Sequence, residues 1–143
     1  MDNQMEIKFL SKSENESFAR IVACAFVSQL DPTTEEMADI KTAVSEAVTN
    51  AIIHGYEGRT DCLVTMCAEI DGDYVSFVIR DTGKGIENVE RAMEPLFTTC
   101  SEEERSGMGF TVMESFMDDL EVDSAPGAGT TVKMGKKILH MNY

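Results

Sequence analysis

Residues 63–85 read LVTMCAEIDGDYVSFVIRDTGKG, and this stretch decides the fold class. Apolar residues alternate from Leu63 to Ile70 and again from Tyr74 to Arg80, where Val75, Phe77 and Ile79 share one side. That is the two-residue period of a half-buried strand. Asp71-Gly72-Asp73 between the two runs is a hairpin signal, because Gly and Asp tolerate the backbone a tight reversal needs. Strands joined by so short a turn run antiparallel, whereas parallel strands need a crossover of a dozen or more residues. A doubly wound parallel sheet is therefore excluded here.

Upstream, Met5 to Leu10 alternates loosely, with Met5, Ile7 and Phe9 on one side, and reads as a first strand. Ser13 stands three residues before Glu16, and Thr33 three before Glu36; both have the spacing of a capping box. The first predicts a helix from about Asn15 to Leu30, ended by Asp31-Pro32. The second predicts a helix running to about His54 and closed by Gly55 and Gly58. Downstream of the hairpin, Asp81 to about Gly109 is charged, Gly-bearing and without period, a length that connections in compact domains rarely reach unless they are functional. A third helix is expected over Phe110 to Met117. Leu120 to Ser124 and Thr130 to Met134 read as strands around the turn Ala125-Pro126-Gly127-Ala128-Gly129, and the basic tail from Lys136 reads as loose. The expected architecture is one α+β domain over residues 1–143. It is a two-layer sandwich, with helices on one face of a mixed, mostly antiparallel sheet.

The chain has 12 Lys+Arg against 26 Asp+Glu, a formal charge of −14. Nucleic-acid binding requires clustered cations, so that partner class is excluded. The same charge argues against anionic membrane surfaces and leaves two readings, solubility or a docking face for a basic protein. No apolar run approaches the roughly 20 residues of a membrane helix. The polar start Met1-Asp2-Asn3-Gln4-Met5-Glu6 is unlike a secretory signal, so the expected compartment is the cytoplasm. Cys24, Cys62, Cys67 and Cys100 form no CxxC pair, and neither His54 nor His140 lies near one in sequence, which argues for reduced thiols over disulfides or structural zinc.

Three groups of residues carry chemistry. Glu46, Asn50 and His54 recur every four residues and share a helix face beside the apolar stripe Val44, Ala47, Val48, Ala51 and Ile52. A carboxylate and a carboxamide there supply a base and a hard oxygen ligand for Mg²⁺. Asp81-Thr82-Gly83-Lys84-Gly85 follows a strand directly. An ionised Asp only accepts hydrogen bonds, so it suits the exocyclic amino group of adenine and repels a guanine carbonyl. Gly107-Met108-Gly109 is expected to open a helix whose free N–H groups would hold phosphate, with Arg105 adding a charge-assisted contact. Each group alone is more often an ordinary solvated helix face, turn or loop.

Their order along the chain, completed by Gly129-Thr130-Thr131 before the last strand, resembles the ATP-binding fold shared by gyrase, Hsp90 chaperones, sensor histidine kinases and MutL proteins. Glu46-Ala47-Val48-Thr49-Asn50-Ala51 corresponds to its N-box. The stretch from Ser45 to Tyr56, together with Pro95-Leu96-Phe97-Thr98-Thr99 and Glu104-Arg105-Ser106-Gly107-Met108-Gly109-Phe110, resembles the bacterial anti-sigma-factor serine kinases, above all those directed at sporulation. Asn15-Glu16-Ser17-Phe18-Ala19-Arg20 and Phe116-Met117-Asp118-Asp119 match as well.

The resemblance implies ATP/ADP and Mg²⁺ as cofactors. Glu46 would be the general base, Asn50 the Mg²⁺ ligand and Asp81 the adenine reader, with Gly83 and Gly85 shaping the pocket. Thr98 and Thr99 would lie in an ATP lid over about residues 86–109. Arg105, Gly107 and Gly109 would hold phosphate, and Thr131 would support the adenine end. Arg20 would contact the partners: a sporulation sigma factor, sigma factor F, and an anti-anti-sigma factor that is the phosphorylation substrate. A homodimer is implied too. A stress-response kinase of the same family, or a nucleotide-gated sigma-binding module with little kinase activity, stays open at this point.

Overall fold

The computed structural model describes residues 2–86 and 101–139, with the backbone alone described over 101–108. In chain order the elements are β1 (Asn3–Leu10), α1 (Glu14–Val27), a 3₁₀ turn (Ser28–Leu30), α2 (Thr34–Thr49) and a π turn (Asn50–Gly55). There follow β2 (Leu63–Asp71), β3 (Tyr74–Asp81), a helix that we label α3 (Ser101–Phe116), β4 (Asp119–Ala125) and β5 (Gly129–Lys137).

The strands form one sheet in the order β1-β2-β3-β5-β4. Every pairing is antiparallel, so the sheet is not mixed. The 71–74 hairpin sets the β2–β3 register, with Asp71 opposite Tyr74 and Thr65 opposite Arg80. Alternate residues Val64, Met66, Ala68, Ile70, Val75, Phe77, Ile79, Val132 and Met134 are buried. They join Ala19, Ala23, Val27, Ile40, Ala43, Val44, Val48 and Met113 of the helices in one core. The helices therefore cover one sheet face, as the alternation predicts. The opposite face carries the row Glu6, Cys67, Val78, Lys133 and Glu121, and none of these is buried.

Local chemistry explains where the elements depart from expectation. Thr33 and Glu36 do form a capping box: the Glu36 N–H donates to Thr33 Oγ1 at 3.0 Å and the Thr33 N–H to Glu36 Oε1 at 2.9 Å. Ser13 and Glu16 do not, because Ser13 has helical dihedrals and makes no side-chain cap. The Glu16 carboxylate instead receives Ser45 Oγ at 2.6 Å and Arg20 at 3.2 Å. The third helix begins at Ser101, not Phe110. Ser101 is followed by Glu102, Glu103 and Glu104, which are good helix formers and complement the positive end of a helix dipole. Nor is the tail loose as far as residue 139. Lys136 and Lys137 belong to β5, Ile138 is fully buried, and the Leu139 N–H reaches Glu36 Oε2 at 2.9 Å. Cys24, Cys62 and Cys67 are free thiols, and Cys100 lies outside the described residues.

Candidate nucleotide site

Val44, Ala47, Val48 and Ala51 point into the core, which leaves Glu46 and Asn50 on the flank of α2, one turn apart. At Asn50 the helix widens into the π turn, and the Tyr56 N–H donates to the Ala51 carbonyl five residues back, at 3.1 Å. Single π turns recur at functional sites because they re-aim side chains without ending the helix. His54 sits half-buried in this turn, away from any described metal cluster. Above Glu46 and Asn50 lies Gly109 of α3. A Cβ on Gly109 would come within 3.4 Å of both Glu46 Oε2 and Asn50 Nδ2. That is ordinary van der Waals distance, so α3 passes directly over the carboxylate and the carboxamide at Gly109.

The far end of the π turn meets the other motif. Asp81 ends β3 with 5% of its surface exposed. Burial pushes its carboxyl above the ordinary carboxylate range, opposed by N–H donation from Gly83 and Thr130. The Gly83 bond measures 2.9 Å to Oδ1. The carboxylate rests against Gly55, where a Cβ would approach its atoms to 2.8 Å. A side chain at Gly83 would strike the Gly55 carbonyl, which accepts the Lys84 N–H at 2.9 Å. Gly85 has φ of 77°, and a Cβ there would strike the Ala125 carbonyl. The turn is stitched to the β4–β5 hairpin as well. The Ile86 N–H donates to Ser124 Oγ at 2.8 Å and the Gly127 N–H to the Lys84 carbonyl at 2.6 Å.

One helical segment therefore links two chemistries, with Glu46, Asn50 and Gly109 at one end of the π turn and Asp81, Gly83 and Gly85 at the other. Thr131 is not part of this set. Asp81 lies opposite Thr130, and Thr131 opposite Arg80, so strand alternation turns Thr131 to the other sheet face. Thr130, missed from sequence, is the buried residue beside Asp81. The alternation of Thr130, Val132 and Met134 against Thr131 and Lys133 could have found it. Gly107 and Gly109 do not open a helix but lie inside α3, where backbone N–H groups are taken by the preceding turn. Arg105 is also in α3, with its side chain outside the described set, and Thr98 and Thr99 lie outside the described residues altogether. Arg20 is separate from the site, on α1. Its guanidinium lies 3.2 Å from Glu16 and 3.3 Å from Ser17 Oγ.

These residues fit a Mg²⁺–nucleotide. Asn50 offers a hard oxygen, and its carboxamide lies with the Glu46 carboxylate directly beneath Gly109. Among the described residues no group of three or more His, Cys, Asp or Glu side chains is placed to hold a metal ion. No helix among them is long and apolar enough to cross a membrane.

Residues 10–136 match the histidine kinase-like ATPase domain. The chain is 64% identical over 136 residues to an anti-sigma F factor of Thermoanaerobacter sp. strain X514, covering 95% of this chain and 94% of that one. It is likewise 64% identical to the anti-sigma F factor of Clostridium beijerinckii, covering 95% of each. Its fold resembles the crystal structure of the RsbU and RsbW domains of a Mycobacterium tuberculosis protein. That match has a TM-score of 0.69 and 18% identity, covering 95% of this chain and 32% of that one.

Proposed function

We propose, starting from the fact that this chain belongs to the histidine kinase-like ATPase family and within it to the anti-sigma F factors, that it is a serine kinase with two protein partners. It binds and inhibits sigma factor F, and it uses ATP to phosphorylate a serine of an anti-anti-sigma factor. The reading is carried by one observation: Glu46 stands one turn before Asn50, and both lie directly beneath Gly109 of the glycine-bearing α3.

In this reading Asp81 accepts a hydrogen bond from the adenine amino group. The N–H groups of Thr130 and Gly83 hold its carboxylate in place. Asn50 would hold Mg²⁺, which when bound neutralises charge on the transferring phosphoryl group. Glu46 takes the proton of the substrate serine hydroxyl. The serine oxygen then bonds to the γ-phosphorus, the bond from that phosphorus to the bridging oxygen breaks, and ADP leaves with the electron pair. Positioning supplies most of the rate in such a transfer, so a single base suffices. Arg105, Gly107 and the lid threonines Thr98 and Thr99 are proposed to close on the phosphates. That requires the first turns of α3 to open, since the glycines are helical here.

Arg20 is proposed to contact both partners. Beside it Phe18 is 49% and Ile21 64% exposed, an apolar surface with a fixed cation of the kind interfaces favour. β1 is an edge strand, and pairing of that edge with a second copy would build the homodimer. Light scattering on a variant with Pro within β1 tests the dimer. The cytoplasm is the proposed compartment.

The deciding experiment mixes the protein with Mg²⁺, labelled ATP and a purified anti-anti-sigma factor, beside Glu46→Gln. Serine label that falls at least about a hundredfold in the variant, with ATP binding retained, is the expected result for a lost general base. No label on the partner with wild-type protein that still binds ATP would leave a nucleotide-gated binding module and sink the kinase.

A further inference from the structure

Tyr56 closes the π turn and is 2% exposed. Its ring packs in the core, with the Arg59 guanidinium 6.0 Å from the ring centroid on the outer side. A Phe would fill that space equally well. The hydroxyl is what a Phe lacks, and here it has three partners. It donates to the Leu63 carbonyl at 2.5 Å and accepts the Thr82 N–H at 2.8 Å. Thr82 Oγ1 lies 3.2 Å away, placed to donate to the remaining lone pair. One hydrogen and two lone pairs are thereby all used, which fixes the direction of every bond.

The partners matter because of where they sit. Thr82 follows Asp81, and three successive N–H groups of the turn are anchored. The Thr82 N–H goes to Tyr56, the Gly83 N–H to Asp81 itself, and the Lys84 N–H to the Gly55 carbonyl. Two of the three anchors come from Gly55 and Tyr56, at the end of the segment that carries Asn50. The Asp81 carboxylate lies against the same Gly55. A shift of the turn would therefore move the acceptor that faces the base.

We infer that the Tyr56 hydroxyl is a positioning group for base recognition: by holding the Thr82 N–H it sets the Asp81–Gly83 turn, and through it the preference for a base bearing an amino group over one bearing a carbonyl. This rests on the reading of Asp81 as the adenine acceptor, and the test separates the two. Removing the hydroxyl takes the partner from two part-buried groups, the Thr82 N–H and the Leu63 carbonyl; both residues reach solvent, so each group turns toward water to recover a partner and the turn shifts with the Thr82 N–H.

The test is a titration of wild type, Tyr56→Phe and Asp81→Asn with ATP and with ITP, which carries a carbonyl where adenine carries its amino group. Circular dichroism melts accompany each protein. Wild type prefers ATP, and Asp81→Asn loses the preference. Tyr56→Phe keeps a cooperative melt and wild-type ITP affinity, but its ATP-over-ITP ratio drops about fivefold or more, the worth of one hydrogen bond in poor register. A merely structural tyrosine would lower both affinities together. A wild-type ratio in Tyr56→Phe, with the ratio abolished in Asp81→Asn, overturns the inference alone. A ratio kept in Asp81→Asn overturns the Asp81 reading and the inference with it. Should Tyr56→Phe not fold, amide exchange of the wild-type protein decides: the Thr82 N–H is expected to be protected like its β3 neighbours, and exchange at the rate of an open turn overturns the inference.

Discussion

Asp81 must stay ionised to be an acceptor-only group with a charge-assisted hydrogen bond, yet its burial favours the protonated form. Its folded-state pKa lies above the unfolded one, so the fold binds this proton more readily than the open chain. The contribution to stability is fully present below the unfolded-state pKa and is lost as pH rises through the folded-state value. Ligand binding runs the other way, since protonation removes the charge and makes one carboxyl oxygen a donor. ATP affinity should thus fall on acidification at a pH above the ordinary carboxylate range, while Asp81→Asn shows a flat, low affinity. Melts without nucleotide should show wild type losing stability relative to that variant as pH rises. Nucleotide titrations and melts across the acid range check both signs, and a wild-type affinity that stays level through that range would contradict the assignment. The neighbouring pair Thr130 and Thr131 makes a second test. Thr130 shares the buried face with Asp81, whereas Thr131 faces away. Thr130→Ala keeps the Thr130 N–H bond to Asp81 but removes the Oγ1 that lies 2.8 Å from Ser124 Oγ, the hydroxyl that accepts the Ile86 N–H of the glycine turn. It should weaken ATP binding about fivefold through that lost hydrogen bond, and Thr131→Ala should leave it unchanged. The sequence motif Gly-Thr-Thr named both residues but not their face. A one-residue difference in register reverses which side chain meets the site.

The helices show where sequence signals compete. At Thr33 the capping box formed, with Glu36 Oε1 turned to the Thr33 N–H while Oε2 accepts the Leu139 N–H. At Ser13 the same spacing failed because Glu16 is drawn to Arg20 and Ser45 on the neighbouring helix. A tertiary contact overrode a local one, and no single-helix pattern could reveal that. α3 is the larger case. Its glycines were legible as a phosphate motif, but the glutamates before them carry the helix through. Its far end is fastened, with Lys136 Nζ donating to the Phe116 carbonyl at 2.9 Å and lying 3.6 Å from Asp39 of α2. A helix fixed at its C-terminus and interrupted by glycines at its middle opens at the glycines and the turns before them first, since each glycine costs about 1 kcal/mol relative to Ala. Gly107→Ala should therefore act with opposite signs on two readouts. It should stabilise the nucleotide-free protein by up to about 1 kcal/mol and weaken ATP binding, because the turns that must open resist. Chemical denaturation and nucleotide titration measure the two. Tighter ATP binding in the variant would mean that α3 holds phosphate as a helix.

At the scale of the molecule, the antiparallel sheet and its single helical layer were legible because they rest on period-two alternation and on one turn that admits a single strand direction. The co-location of Glu46 with Asp81 was legible only by resemblance, since 35 positions separate them and the joining device is the π turn, which leaves no periodic trace. Charge is a whole-molecule property too. The formal charge of −14 is more than solubility requires of a small domain, for which a magnitude of about 2–8 suffices. An excess of one sign draws a partner of the other sign into encounter and is screened by salt. Contacts made after docking are screened far less, because they lie inside the interface. Sigma factor F should accordingly present a basic face, and salt should act on encounter and not on release. Stopped-flow association should slow about tenfold between about 0.05 and 0.5 M salt, with dissociation changed little. If both rates are indifferent to salt, the acidity serves solubility alone, and Phe18 and Ile21 with Arg20 must bring the partner in by contact.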